Sequence, residues 1–138
     1  MTNRMEIYLA ARYTRRTELV CCRADLLAVG YTVTSRWLAG EGDATNDGVA
    51  PEGTEEERQR WALIDWEDIK AAGVMINFTE PPGSTHSRGG RHVEFGMALF
   101  RGKRPIVVGP RENVFHCLPG VEVYETWAEC LTQLVRER

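Results

Sequence analysis

No apolar run in the 138-residue sequence approaches the ~20 residues that a membrane-spanning helix needs, so a helical anchor within it is excluded. There is no excess of basic charge either. Lys and Arg number 17 against 20 Asp and Glu, a formal net charge of −3, and the chain as a whole is not built to grip a nucleic acid polymer. Neither GxGxxG nor a P-loop occurs, which removes the commonest dinucleotide and nucleoside-triphosphate signatures. Cysteines are few. Cys21, Cys22, Cys117 and Cys130 form no CxxC and no regular framework, the usage of reduced thiols in a reducing compartment. His86, His92 and His116 lack the spacing of a metal site and the cysteines do not complete one, so no metal is expected. No motif calls for a cofactor. Met1–Arg4 leads straight into a strand-like run, so no secretory leader is expected and the expected location is the cytoplasm.

What is present is an alternation of strand-like and helix-like segments over 1–138, with no internal repeat and no dividing linker, so a single domain is expected. Glu6–Ala11 reads as a buried strand, followed by a helix with Leu19, Cys22, Leu26 and Val29 at helical spacing. Tyr31–Trp37, rich in β-branched and aromatic residues, reads as a second strand. Gly40–Gly53 is a Gly/Asp/Asn-rich loop, expected to be mobile. Thr54 and Glu57 form a capping box opening a helix that reaches about Ala72. Val74–Phe78 is a third strand, Thr79–Gly90 a loop, His92–Phe100 a helix, Pro105–Val108 a fourth strand and Val121–Tyr124 a fifth. Thr126 and Glu129 make a second capping box, and Trp127, Cys130, Leu131 and Leu134 share one stripe of the last helix.

This alternation implies an α/β fold: a five-stranded parallel sheet in a flavodoxin- or Rossmann-like three-layer sandwich, strand order 2-1-3-4-5. Ligands of such sheets bind outside the carboxyl ends of the strands, where the order reverses. Ala10–Arg16 and Thr79–Glu94 belong to that crevice.

Glu94 follows Gly89-Gly90 in GGRHVEFGMAL and is expected in the first turn of a helix, where the macrodipole favours an ionised carboxylate able to attack an electrophilic carbon. An ordinary first-turn acid satisfies the same local pattern. Asp65 shares a helix face with Ala62, Ile69 and Ala72, and a carboxylate on a small, apolar face is unexpected because burying charge is costly. Glu67 and Asp68 are expected in solvent. Arg12, Arg15 and Arg16 after the first strand, and Arg88 and Arg91 around Gly89-Gly90, converge on one crevice and suit a phosphate; surface arginine is the alternative for any one of them. Trp61 and Trp66 read as helix packing rather than a base-stacking platform.

The order IYLAAR, a helix carrying Asp65, AAGVMINF, GGRHVEFGMAL and KRPIVVG resembles the nucleoside 2-deoxyribosyltransferase-like superfamily over nearly the whole chain, and within it most of all the 2′-deoxynucleoside 5′-phosphate N-hydrolases. The resemblance implies that Tyr8 lines the site, Asp65 supports the chemistry and Glu94, followed by Gly96, is the nucleophile. The deoxyribosyltransferases carry an aspartate where Arg88 stands here, and the phosphate-specific hydrolases a serine in this area, which Ser87 matches. Loss of the acid and gain of positive charge favour a 5′-phosphate. The expected activity is therefore hydrolysis of the base–sugar bond of a (deoxy)nucleoside 5′-monophosphate, with Arg12, Arg15, Ser87, Arg88, Gly89 and Gly90 binding substrate. Base exchange by a transferase, and a non-catalytic nucleotide sensor on the same fold, are the alternatives. Relatives assemble as dimers or larger, so a homodimer at least is implied, with Arg111 or Asn113 reaching a neighbouring chain's phosphate.

Overall fold

The computed structural model describes residues 4–39, 53–85 and 88–138. The loop expected over 40–53 lies almost wholly outside these residues, as do His86 and Ser87. Five strands form one parallel sheet in the order β2-β1-β3-β4-β5, with β1 at Glu6–Ala10, β2 at Thr32–Val33, β3 at Val74–Phe78, β4 at Arg104–Val108 and β5 at Glu122–Tyr124. Helices α1 (Arg16–Ala28), α2 (Glu55–Ala71), α3 (Gly90–Phe100) and α4 (Trp127–Arg136) supply the crossovers. α1 packs with α4 and α2 with α3, which gives the expected three layers.

The central strands β1 and β3 are buried almost throughout, which is why both are mostly apolar, the buried Asn77 of β3 being the polar exception. Ile7, Leu9, Ile76 and Ile106 are fully buried, and each such side chain contributes about 1.5–3 kcal/mol. The Thr54–Glu57 box is reciprocal: Thr54 Oγ1 accepts from Glu57 N at 3.1 Å and Glu57 accepts from Thr54 N at 2.9 Å. The second box is only half formed. Thr126 caps Glu129 N at 3.2 Å, but the Glu129 carboxylate accepts from Glu125 N instead of closing on Thr126.

Two expectations are corrected here. The second strand stops at Val33, and Arg36–Ala39 forms a 3-10 turn. After Thr34 N–H donates to Ile7, side chains replace the ladder: Leu9 N–H donates to Ser35 Oγ at 2.7 Å, and the Trp37 indole N–H donates to Leu9 C=O at 2.9 Å. Asp68 is buried, not solvated. Its carboxylate accepts from Arg36 N and Arg36 Nε, both at 2.8 Å, and so caps that turn while neutralising the arginine.

Candidate active site

β1 aims the Tyr8 side chain into the layer formed by α2 and α3. There its hydroxyl donates to a carboxylate oxygen of Glu94. Tyr8 is fully buried. Burial, together with the Glu94, Asp65 and Asp68 carboxylates, holds its pKa well above the ordinary tyrosine value. The phenol therefore stays protonated across the physiological range and is a permanent donor to Glu94.

Gly89 N-caps α3 with φ 89°, a left-handed conformation that favours glycine, and the helix begins at Gly90. That start lies two residues earlier than the sequence suggested. Glu94 consequently falls in the second turn, beyond the reach of the macrodipole, which fades within the first. There the Tyr8 hydroxyl donates to it from β1.

A cleft of about 320 Å³ opens beside this contact. α2 lines it with Arg58, Trp61, Ala62, Asp65, Trp66 and Ile69; α3 and the residues before it contribute Arg88, Gly90, Glu94 and Met97 among others. Asp65 is 8% exposed, and of the residues expected on its face Ile69 and Ala72 are buried while Ala62 is exposed. Two carboxylates, from α2 and α3, thus line one cavity, and a buried phenol from β1 bonds one of them from behind. Such a set can stabilise a cationic carbon, attack it, and manage a proton on a leaving group.

Two solved structures are similar over nearly all of the chain. One is a CMP N-glycosidase from Clostridium botulinum, with TM-score 0.60, 20% identity, and coverage of 94% of this chain and 97% of that one. The other is a 2-deoxyribosyltransferase from the psychrotolerant bacterium Bacillus psychrosaccharolyticus, with TM-score 0.67, 20% identity, and coverage of 91% and 90%. The fold is that of these two enzymes. No family model and no curated protein matches the sequence.

On this fold the expected arginine cluster divides. Arg15 lies at the carboxyl edge of β1 and β3, over the Phe78 ring, but its guanidinium donates to Thr79 O, Glu80 and Glu18 at 3.1, 2.9 and 2.8 Å. Arg16 donates to Leu38 O at 2.6 Å. Arg91 is buried and forms a bidentate pair with Glu112, with Nη2–Oε2 at 2.7 Å. Glu112 also accepts from Glu80 N at 3.1 Å. Burial alone would raise the Glu112 pKa, but Arg91, the Glu80 N–H and His92 outweigh it and hold the carboxyl below its ordinary value. Arg12 keeps a buried Nε with no partner among the described residues, and Arg88 is exposed at the cleft.

Asn113 is occupied in its own 3-10 turn, accepting from Phe115 N at 2.9 Å, while Arg111 is exposed. Sequence reasoning missed the cleft placement of Arg58, Trp61, Trp66 and Met97. The signal was present: Trp61 and Trp66 flank Asp65 at positions that border its face of the helix.

Proposed function

We propose that this protein is an N-glycosidase that hydrolyses the base–sugar bond of a nucleoside or deoxynucleoside 5′-monophosphate through a Glu94 ester. The observation that carries this reading is the Tyr8–Glu94 hydrogen bond beside a cleft that Asp65 also lines. Glu94 attacks C1′ from the side away from the base, and the electron pair of the C1′–N bond departs with the base. Asp65 gives its proton to that nitrogen and becomes a carboxylate, while Tyr8 orients Glu94. Water then bonds to C1′, its proton passes to the Asp65 carboxylate, and the ester bond to Glu94 breaks. The sum is nucleotide plus water giving base plus sugar phosphate, two carboxylates dividing the work as in retaining glycosidases.

Arg12, Ser87 and Arg88, with the Gly89-Gly90 backbone, are the proposed phosphate anchors; Arg15 joins them by exchanging Glu80 for the phosphate. Remote binding of that kind orients the reacting carbon. The reading includes a homodimer. Phe100 is 97% exposed, and with Val93, Phe115 and Leu118 it lines an apolar groove on the far side of α3 that a second copy would cover. Sedimentation of wild type against Phe100→Glu tests this, a dimer becoming a monomer.

The test of function is chromatography of common nucleotides and nucleosides after incubation with the protein. Released base from a 5′-monophosphate, absent with Glu94→Gln, is the expected result. Adding a second free base separates two chemistries, since an exchanged nucleotide assigns transfer instead of hydrolysis. Tight nucleotide binding with no base released assigns the non-catalytic sensor.

A further inference from the structure

The α2 wall of the cleft has a shape that the bond-breaking step does not require. An α-helix turns about 100° per residue, so Arg58, Ala62, Asp65 and Ile69 form one stripe, and Trp61 and Trp66 stand on its two borders about 140° apart. Both indoles line the same cleft as Glu94. Trp66 is 42% exposed, whereas α2 buries Asp65, Asp68 and Ile69. Packing of the helix on the protein therefore does not account for its position. Trp61 instead packs against Gly53. Its six-membered ring lies so close to Gly53 that a Cβ there would meet Cη2 at 2.6 Å and Cζ3 at 2.9 Å. Between the indoles Ala62 contributes only a methyl group. Asp65 closes one end of the resulting slot, and Arg58 stands about 10 Å along the helix axis at the other, seven residues at 1.5 Å each.

A slot with aromatic borders, a small floor and polar ends matches a flat heteroaromatic ring with hydrogen-bonding edges. We propose that it takes the base of the nucleotide, stacked on Trp66, with Trp61, packed on Gly53, as the second wall, and that Ala62 sets the size of ring accepted. This rests on the glycosidase reading for the orientation of the substrate, with C1′ at Glu94 and the leaving nitrogen at Asp65.

The test compares purine and pyrimidine 5′-monophosphates with wild type, Trp66→Ala, Trp66→Phe and Ala62→Leu. Base–aromatic stacking of the usual strength predicts a KM about tenfold higher or more in Trp66→Ala. The kcat changes less, Tm stays the same, and Trp66→Phe recovers most of the loss. Ala62→Leu lowers kcat/KM for the purine nucleotide about tenfold more than for the pyrimidine. Unchanged KM and base preference in both Trp66→Ala and Ala62→Leu overturns the slot while leaving a Glu94-dependent glycosidase intact. If wild type releases no base, the glycosidase reading fails, and calorimetric binding of the same nucleotides decides the slot alone. Affinity about tenfold weaker in Trp66→Ala supports it, and equal affinity overturns it.

Discussion

At the carboxyl edge of the sheet, Arg15, Glu80, Arg91 and Glu112 satisfy one another, while in the neighbouring cleft Glu94 and Asp65 gather around a neutral phenol. Both regions are built from the same residue types and draw on the same loops. The edge cluster bolts the β3–α3 loop, the first turn of α3 and the segment after β4 into one unit, through the Glu80 N–H, Arg91 and the Glu112 backbone contact with His116 Nδ1. The cleft has carboxylates where a substrate would lie. At the edge a bidentate arginine pair ties segments of chain together; in the cleft the Tyr8 hydroxyl aims a carboxylate at the cavity where a substrate would lie.

That contrast is open to direct attack. Glu94→Gln is expected to lower base release by on the order of 10³-fold or more, with nucleotide affinity nearly intact, since it removes a group that acts in the transition state. Single-turnover kinetics beside calorimetry measures both, and retained turnover would undo the assignment. The edge cluster should respond in stability instead. Arg91→Met strands a buried carboxylate and is expected to cost about 3–5 kcal/mol in urea unfolding, whereas Arg91→Met with Glu112→Leu costs much less.

A pH arm follows from the same pair. Because Glu112 is depressed in the folded state, its contribution is complete above the unfolded value of about 4.3 and is lost as pH falls through the lower folded value. Acid titration of Glu112→Gln should therefore show a shallower loss of stability below pH ~4.3 than wild type.

Tyr8→Phe comes next in size. It should lower kcat about 10- to 100-fold, the equivalent of one hydrogen bond of about 1.5–3 kcal/mol to a charged group, at a cost of about 1 kcal/mol in stability. A kcat equal to wild type would mean that the Tyr8–Glu94 bond is only packing. The smallest effect belongs to Arg15→Gln, whose partly exposed pairs with Glu18 and Glu80 are expected to contribute less than about 1 kcal/mol. If Arg15 exchanges Glu80 for phosphate, the same variant raises KM for the monophosphate and leaves KM for the nucleoside unchanged.

Much of this was legible in the sequence. Strand order, four helices and the first capping box follow from local signals: short, mostly apolar runs, Thr-x-x-Glu, and glycines at the helix ends. What stayed hidden depends on partners distant in the chain. The short β2 requires knowing that Ser35 and Trp37 reach Leu9, and the burial of Asp68 requires knowing that Arg36 reaches back to it. Glu94 was singled out in the sequence, but for a first-turn position it does not occupy. Its true neighbour, Tyr8, lies 86 residues away, and only the family resemblance pointed to it. The arginines read as one cluster divide on this fold, because composition could not say that Glu80 and Glu112 would claim two of them.

The substitution of side chains for a strand ladder beside β1 has a consequence for the life of the protein outside its chemistry. An open strand edge is a template for pairing with any extended chain. Here Ser35 and Trp37 occupy the Leu9 amide and carbonyl, so the outer edge of β1 beyond β2 offers no row of waiting hydrogen-bond groups. The strand that carries Tyr8 is thereby closed at Leu9 to intruding strands by two side chains that follow β2.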